Sequence, residues 1–298
     1  MCGSTGYLRG LVNLAIAGLL LLLLATIALG NTTLWIAWTR LGDEEFYMVA
    51  AIIVYYALQS IKSGIAPITA VLLSGALNVI LKYTFNTPRP ENPLVEVYGP
   101  GFPSGHAQVS TSFWSSLTLI TRSKHLAILS AIIVTGVSLS RIYLRAHYEL
   151  DIIGGIILGV AVGYVSFALY KYSTKEKAGV LQALGALLAT VIALYNMFVL
   201  NVEHRSMSAI TGISLASLTL ALVAGRHTLD AGKTPLVTRM ILCFLSTVLL
   251  LGVHLVTREL VVYARITGFY VAGLIVLFLP VVIANSVTLR ARRLNPAE

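Results

Sequence analysis

Runs of about 20 mostly apolar residues recur along this chain, and a run of that length is what an α-helix needs to cross a bilayer. Ten such runs can be traced, at roughly 10–30, 45–61, 65–83, 104–121, 125–142, 151–170, 178–200, 207–225, 236–257 and 266–287. In hydrocarbon, a helix satisfies its backbone N–H and C=O groups internally, which an isolated strand cannot do. The expected fold is therefore all-α: a polytopic membrane helix bundle with about ten transmembrane helices. Composition agrees, because only 11% of the residues are charged, against about 25% in a soluble domain. The run at 11–29 is read as a retained first helix, too long for the apolar part of a cleaved leader. Pro67 and Pro280 are expected at helix starts or kinks.

The net charge of +9 could suggest nucleic acid as a partner, but no basic stripe interleaved with aromatic residues on a polar surface is present. No nucleic-acid partner is expected. Basic residues instead report orientation, since cytoplasmic loops of membrane proteins are enriched in lysine and arginine. With the N-terminus inside, the inner segments hold thirteen of the 21 basic residues. Both termini are thus expected in the cytoplasm. The two cysteines, Cys2 and Cys243, define neither a disulfide framework nor a metal site. The charged join 171–177 divides the expected domains: 1–172 as a core and 173–298 as an additional four-helix membrane region.

Against this apolar background, three polar clusters stand out. The first is Lys82 followed by Arg89-Pro90, the second Pro103-Ser104-Gly105-His106, and the third Ser140-Arg141, His147 and Asp151. Ionisable groups at a membrane boundary are costly and mark function by default. In the expected orientation all three clusters reach the outer face. Spacing alone suggests a chemistry. His147 and Asp151, four apart, would share one helix face about 6 Å apart at Cβ. A carboxylate there can accept a hydrogen bond from one ring N–H, fixing the tautomer and leaving the other nitrogen as a nucleophile. Lys82, Arg89 and Arg141 could satisfy the oxygens of a phosphoryl group, and Ser104 and Gly105 would present helix N-terminal N–H groups to the same anion. His106 then suits the proton transfers to leaving group and from water. No metal or other cofactor is expected, since the clusters offer no group of carboxylates to hold one.

In order and internal spacing, Lys82…Arg89-Pro90, Pro103-Ser104-Gly105-His106 and Ser140-Arg141…His147…Asp151 resemble the three-part signature of the type 2 phosphatidic acid phosphatase, or lipid phosphate phosphatase, superfamily. The resemblance implies a six-helix catalytic core over about 10–170 and a metal-independent phosphohistidine mechanism. It implies His147 as nucleophile, His106 as acid and Asp151 as orienting group. Lys82, Arg89, Ser104, Gly105 and Arg141 are implied as phosphate ligands. The segment Tyr98–Gln108 is also similar to segments of glucose-6-phosphatases and sphingosine-phosphate phosphatases. The first expectation for a substrate is a polyprenyl diphosphate in the membrane. Phosphatidate, phosphatidylglycerol phosphate, a sphingosine-phosphate-like lipid and a sugar phosphate remain alternatives, as does a flippase or transporter carrying a vestigial motif.

Several other residues receive plainer readings. Arg145 is either an interfacial snorkelling residue or a second phosphate ligand. Asp43, Glu44 and Glu45 are read as a solvated cap, and His125, His204, His227 and His254 as structural or solvated. Gly155, Gly159 and Gly163, at steps of four, are expected to seat their helix tightly in the bundle.

Overall fold

The computed structural model describes residues 3–58, 61–172, 178–202, 205–224 and 234–294. These residues contain eleven α-helices, one short 3-10 turn and no strand. Each of the ten expected runs forms a helix. Eight of those helices are long and apolar enough to cross a membrane. The other two fall short in length: α3, Glu44–Ala57, has 14 residues and α5, Gly105–Thr121, has 17. Among the described residues the eleventh, α2 (Thr32–Arg40), lies in what the apolar-run scan treats as a loop. Its start is set by Asn31, whose side chain accepts from the N–H groups of Thr33 and Leu34, an N-cap of the usual kind.

The chain forms two compact units, one of residues 1–47 and 81–164, the other of 48–80 and 165–298. In the first unit, α1 (Gly3–Leu29) and α2 pack on α6 (Lys124–Tyr143). Trp35 and Trp38 of α2 are buried with Leu23, Ile132 and Leu144. The Trp38 indole donates to Thr26 Oγ1 at 3.1 Å, so its polar atom is satisfied inside the bundle. Along α7 (Glu149–Lys171), the glycine stripe lies against α5. A Cβ added at Gly155 would stand 2.8 Å from the Ser104 carbonyl, one at Gly159 2.6 Å from that of Gln108, and one at Gly163 2.8 Å from that of Ser112. The expectation of close seating holds: the helix backbones approach to a distance that excludes any side chain.

In the second unit, α8 (Ala178–Phe198) and α11 (Val262–Leu294) both pack on α9 (Arg205–Ala224), and α10 (Leu236–Val256) packs on α11. Pro280 lies inside α11 and leaves the Val276 carbonyl without its helical donor. The Tyr56 hydroxyl donates to that carbonyl at 3.1 Å, and Tyr55 donates to the Leu277 carbonyl at 2.7 Å. Tyr56 thus supplies the donor that proline removes, as a helix in lipid requires. Outward-facing leucines such as Leu14 and Leu21 of α1 are 72% and 67% exposed, which is the surface expected of a helix facing acyl chains.

Candidate active site

All eight residues singled out from the sequence lie in the first unit. Lys82, near the end of α4 (Ile61–Phe85), donates from Nζ to the carbonyls of Pro100 and Gly101 at 2.6 and 3.2 Å. Arg89, in the link from α4 to α5, is held at three points. Nε donates to the Gly99 carbonyl at 2.8 Å, Nη2 to Tyr98 at 2.8 Å and Nη1 to Ala146 at 2.7 Å. The loop carbonyls of 98–101 therefore aim both cations, and this carbonyl cradle was invisible in the motif spacing. Ser104 is the N-cap residue of α5 in an extended conformation, and its N–H donates to the Asp151 carbonyl at 3.0 Å. Gly105 is the first residue of that helix.

The fixed interval between Arg141 and His147 has a backbone cause. After α6 the chain turns through Arg145 at φ +52°, a left-handed conformation common just past a helix end. That turn brings the N–H groups of Ala146 and His147 back to the Arg141 carbonyl at 2.9 and 3.3 Å. His147 consequently sits in the link before α7, and the expectation that it shares a helix face with Asp151 needs correction. Asp151 is in the first turn of α7. Its Oδ2 accepts from the Tyr148 N–H at 3.0 Å in the manner of a capping box, in which an acidic side chain satisfies the N-terminal backbone. The same oxygen accepts from His147 Nδ1 at 3.3 Å. The pairing of histidine and aspartate survives, produced by a helix cap.

With Nδ1–H given to Asp151, the neutral His147 ring keeps its lone pair on Nε2, which receives Arg89 Nη1 at 3.1 Å. Both His147 and Asp151 are 4% exposed. Burial, more than any other influence, holds the His147 imidazole below the ordinary histidine range; Lys82, Arg89 and Arg141 add to this and Asp151 opposes it. The ring is therefore neutral at neutral pH. Arg141 is 6% exposed and donates from Nη1 to Thr39 Oγ1 at 2.8 Å. Its Nε and the buried Ser104 hydroxyl have no hydrogen-bond partner among the described residues. Leaving such groups unpaired costs stability.

His106, the second residue of α5, pairs through Nε2 with Asp43 Oδ1 at 3.1 Å. Asp43 and Thr39 are the residues that reading the motifs missed. Asp43 was visible only as the first of three acidic residues, and its reading as a solvated cap is replaced by a contact 63 positions away in the chain. Of the remaining histidines, His125 lies in the first turn of α6 and His254 stands edge-on to Phe269 at 6.3 Å; His204 and His227 lie outside the described residues. Arg145 is exposed. Among the described residues no group of three or more His, Cys, Asp or Glu stands together.

The site is thus a buried, cation-rich constellation around an oriented imidazole. Residues 63–175 match the family model described as the PAP2 superfamily, and the chain carries a domain of that superfamily. Over 209 residues the chain is 27% identical to glucose-6-phosphatase 3 of Homo sapiens, covering 59% of this chain and 58% of that protein. It is 27% identical over 135 residues to undecaprenyl-diphosphatase of Sulfolobus acidocaldarius, covering 43% of this chain and 65% of that one. It is also 26% identical over 140 residues to phosphatidylglycerophosphatase B of Bacillus subtilis, covering 43% and 69%. The chain spans less than two-thirds of the length of the glucose-6-phosphatase 3 relatives it matches. No solved structure matches.

Proposed function

We propose that this chain is an integral membrane phosphatase that hydrolyses a lipid phosphate or diphosphate through a phosphohistidine, without a metal or other cofactor. The observation that carries the reading is the His147 ring, tied to Asp151 on one side and offering Nε2 to the Arg89 guanidinium at 3.1 Å on the other. A phosphoryl group drawn to Lys82, Arg89 and Arg141 would meet that nitrogen. Ser104 and the N-terminal backbone at Gly105 complete the set of phosphate ligands. His147 Nε2 attacks phosphorus as the bond to the leaving oxygen breaks, and His106 gives that oxygen its proton. In the second step His106 takes a proton from water, the water oxygen bonds to phosphorus, and the P–N bond breaks to release phosphate.

Polyprenyl diphosphate is the first choice of substrate, supported by the undecaprenyl-diphosphatase relative. Phosphatidylglycerol phosphate follows on the same ground. A sugar phosphate is a second reading, favoured by one observation: the similarity to glucose-6-phosphatase 3 covers 59% of the chain, against 43% for either lipid-phosphate relative. Residues 1–172 are proposed as the catalytic core and 173–298 as an added membrane region. The active site is placed at the outer face and both termini in the cytoplasm, on the strength of the basic-residue asymmetry.

The test is phosphate release by the purified protein in detergent from polyprenyl diphosphate, phosphatidate, phosphatidylglycerol phosphate and glucose 6-phosphate. Turnover should persist in chelator, fall with vanadate, and drop by about 10³-fold or more in His147→Ala. Chelator-sensitive turnover would contradict the metal-free route, and wild-type rates in His147→Ala would remove the nucleophile.

A further inference from the structure

The two imidazoles of the site have parallel environments. His147 has Asp151, and His106 has Asp43, which comes from a part of the chain ahead of residues 63–175, the matched domain. After α2 the chain makes a tight corner: Leu41 N–H donates to the Trp38 carbonyl at 3.1 Å, Gly42 to Thr39 at 2.8 Å and Asp43 to Arg40 at 3.3 Å. The corner lies directly on the His106 ring. A Cβ added at Gly42 would stand 2.6 Å from His106 Cδ2 and 2.8 Å from Val137 Cγ1, so only glycine lets the backbone cover that edge of the imidazole. Beyond it, Arg40 Nη1 approaches Asp43 Oδ2 at 3.4 Å, leaving Oδ1 for the histidine. One turn earlier, Thr39 receives Arg141 at 2.8 Å. A single corner therefore touches both the second imidazole and a phosphate-site arginine.

We propose that Asp43 is the partner carboxylate of His106, fixing its ring through Nε2 and stabilising its protonated form, so that the α2–α3 corner is a fourth component of the site. The surroundings of His106 give such a partner work to do. Burial, first of all, and then Arg141 from α6 and Lys82 from α4 disfavour an imidazolium, and together they hold the ring below the ordinary histidine range even with Asp43 beside it. A carboxylate at hydrogen-bond distance is the group that opposes them. With Nε2–H held by Asp43, Nδ1 is the nitrogen that exchanges a proton with the leaving oxygen and then with water. Asp43 itself neither gains nor loses a proton in the cycle; it is a positioning residue.

This rests on the phosphatase reading, and the test separates the two. General-acid help matters for a leaving group that departs as a basic alkoxide and little for one that departs as a stable phenolate. The purified full chain is offered a long-chain alkyl monophosphate and p-nitrophenyl phosphate, and kcat/KM is compared between them, since it reports the step in which the leaving group departs. Asp43→Asn keeps a hydrogen-bond acceptor for Nε2 but removes the charge. It should lower kcat/KM for the alkyl phosphate by about 10²-fold and for p-nitrophenyl phosphate by less than about tenfold. Asp43→Glu should recover part of the alkyl activity, and vanadate should still raise the melting temperature of Asp43→Asn. Equal losses on the two substrates, loss of the vanadate effect, or undiminished alkyl activity would each overturn the role. A wild-type protein that hydrolyses neither substrate would defeat the phosphatase reading itself, and this role with it.

Discussion

Several weak influences act together on the His147 side chain. Its ring is turned by Asp151, packed out of water, and set against Arg89. In the proposed mechanism, attack on phosphorus requires the neutral ring. Because burial and the surrounding cations hold its ionisation below the ordinary histidine range, lowering the pH through about 6.5 leaves it neutral, and protonation takes activity away only further into acid. The acid limb of kcat/KM should therefore lie below that value once the substrate's own second ionisation, near about pH 6, has been allowed for. An acid limb at or above the ordinary histidine value would contradict the environment described.

At the scale of the element, the site depends on how closely α7 meets α5. Asp151 opens α7 and Ser104 caps α5, and the two are joined by the bond from Ser104 N–H to the Asp151 carbonyl at 3.0 Å. One turn beyond and further along, Gly155, Gly159 and Gly163 keep the helices in backbone contact. Adding two methyl groups and a Cβ at Gly159 forces the pair apart, at a cost of about 1–3 kcal/mol for an overpacked interface. Gly159→Val should lower the melting temperature in detergent and reduce kcat/KM together, although the residue touches no site group. Gly10, inside α1, where an added Cβ meets nothing within 4 Å, serves as the control, and Gly10→Ala should lower neither quantity. Full activity in Gly159→Val would show that the catalytic geometry does not rely on this approach.

For the whole molecule, the membrane-spanning character rests on eight long apolar helices. The orientation proposed from basic residues can be read in intact cells. A cysteine introduced as Glu91→Cys, with Cys2 and Cys243 replaced by serine, should react with an impermeant thiol reagent before lysis. Protection until the membrane is opened would place the 86–101 link, and the site beside it, on the cytoplasmic side. Within the second unit, Pro280 is accommodated inside α11 because Tyr56 donates to the Val276 carbonyl it leaves, 220 positions away.

Helix content and membrane character could be read from the chain alone, because an apolar run long enough to span a bilayer permits one backbone solution, and periodic glycines announce close packing. The three motif clusters were equally legible, since scarce charges in an apolar chain stand out by residue type. What spacing could not convey were the contacts made by ordinary-looking residues: α2 is too short and too mixed for an apolar-run scan, and Asp43 looks like any acidic residue at a helix start. The interval between His147 and Asp151 allowed a helical face, but the left-handed turn at Arg145 put the histidine before the helix. Local pattern sets which segments become helices and which residues can do chemistry. Which carboxylate reaches which imidazole depends on distances between segments far apart in sequence, and only the packing of α2, α5, α6 and α7 determines those.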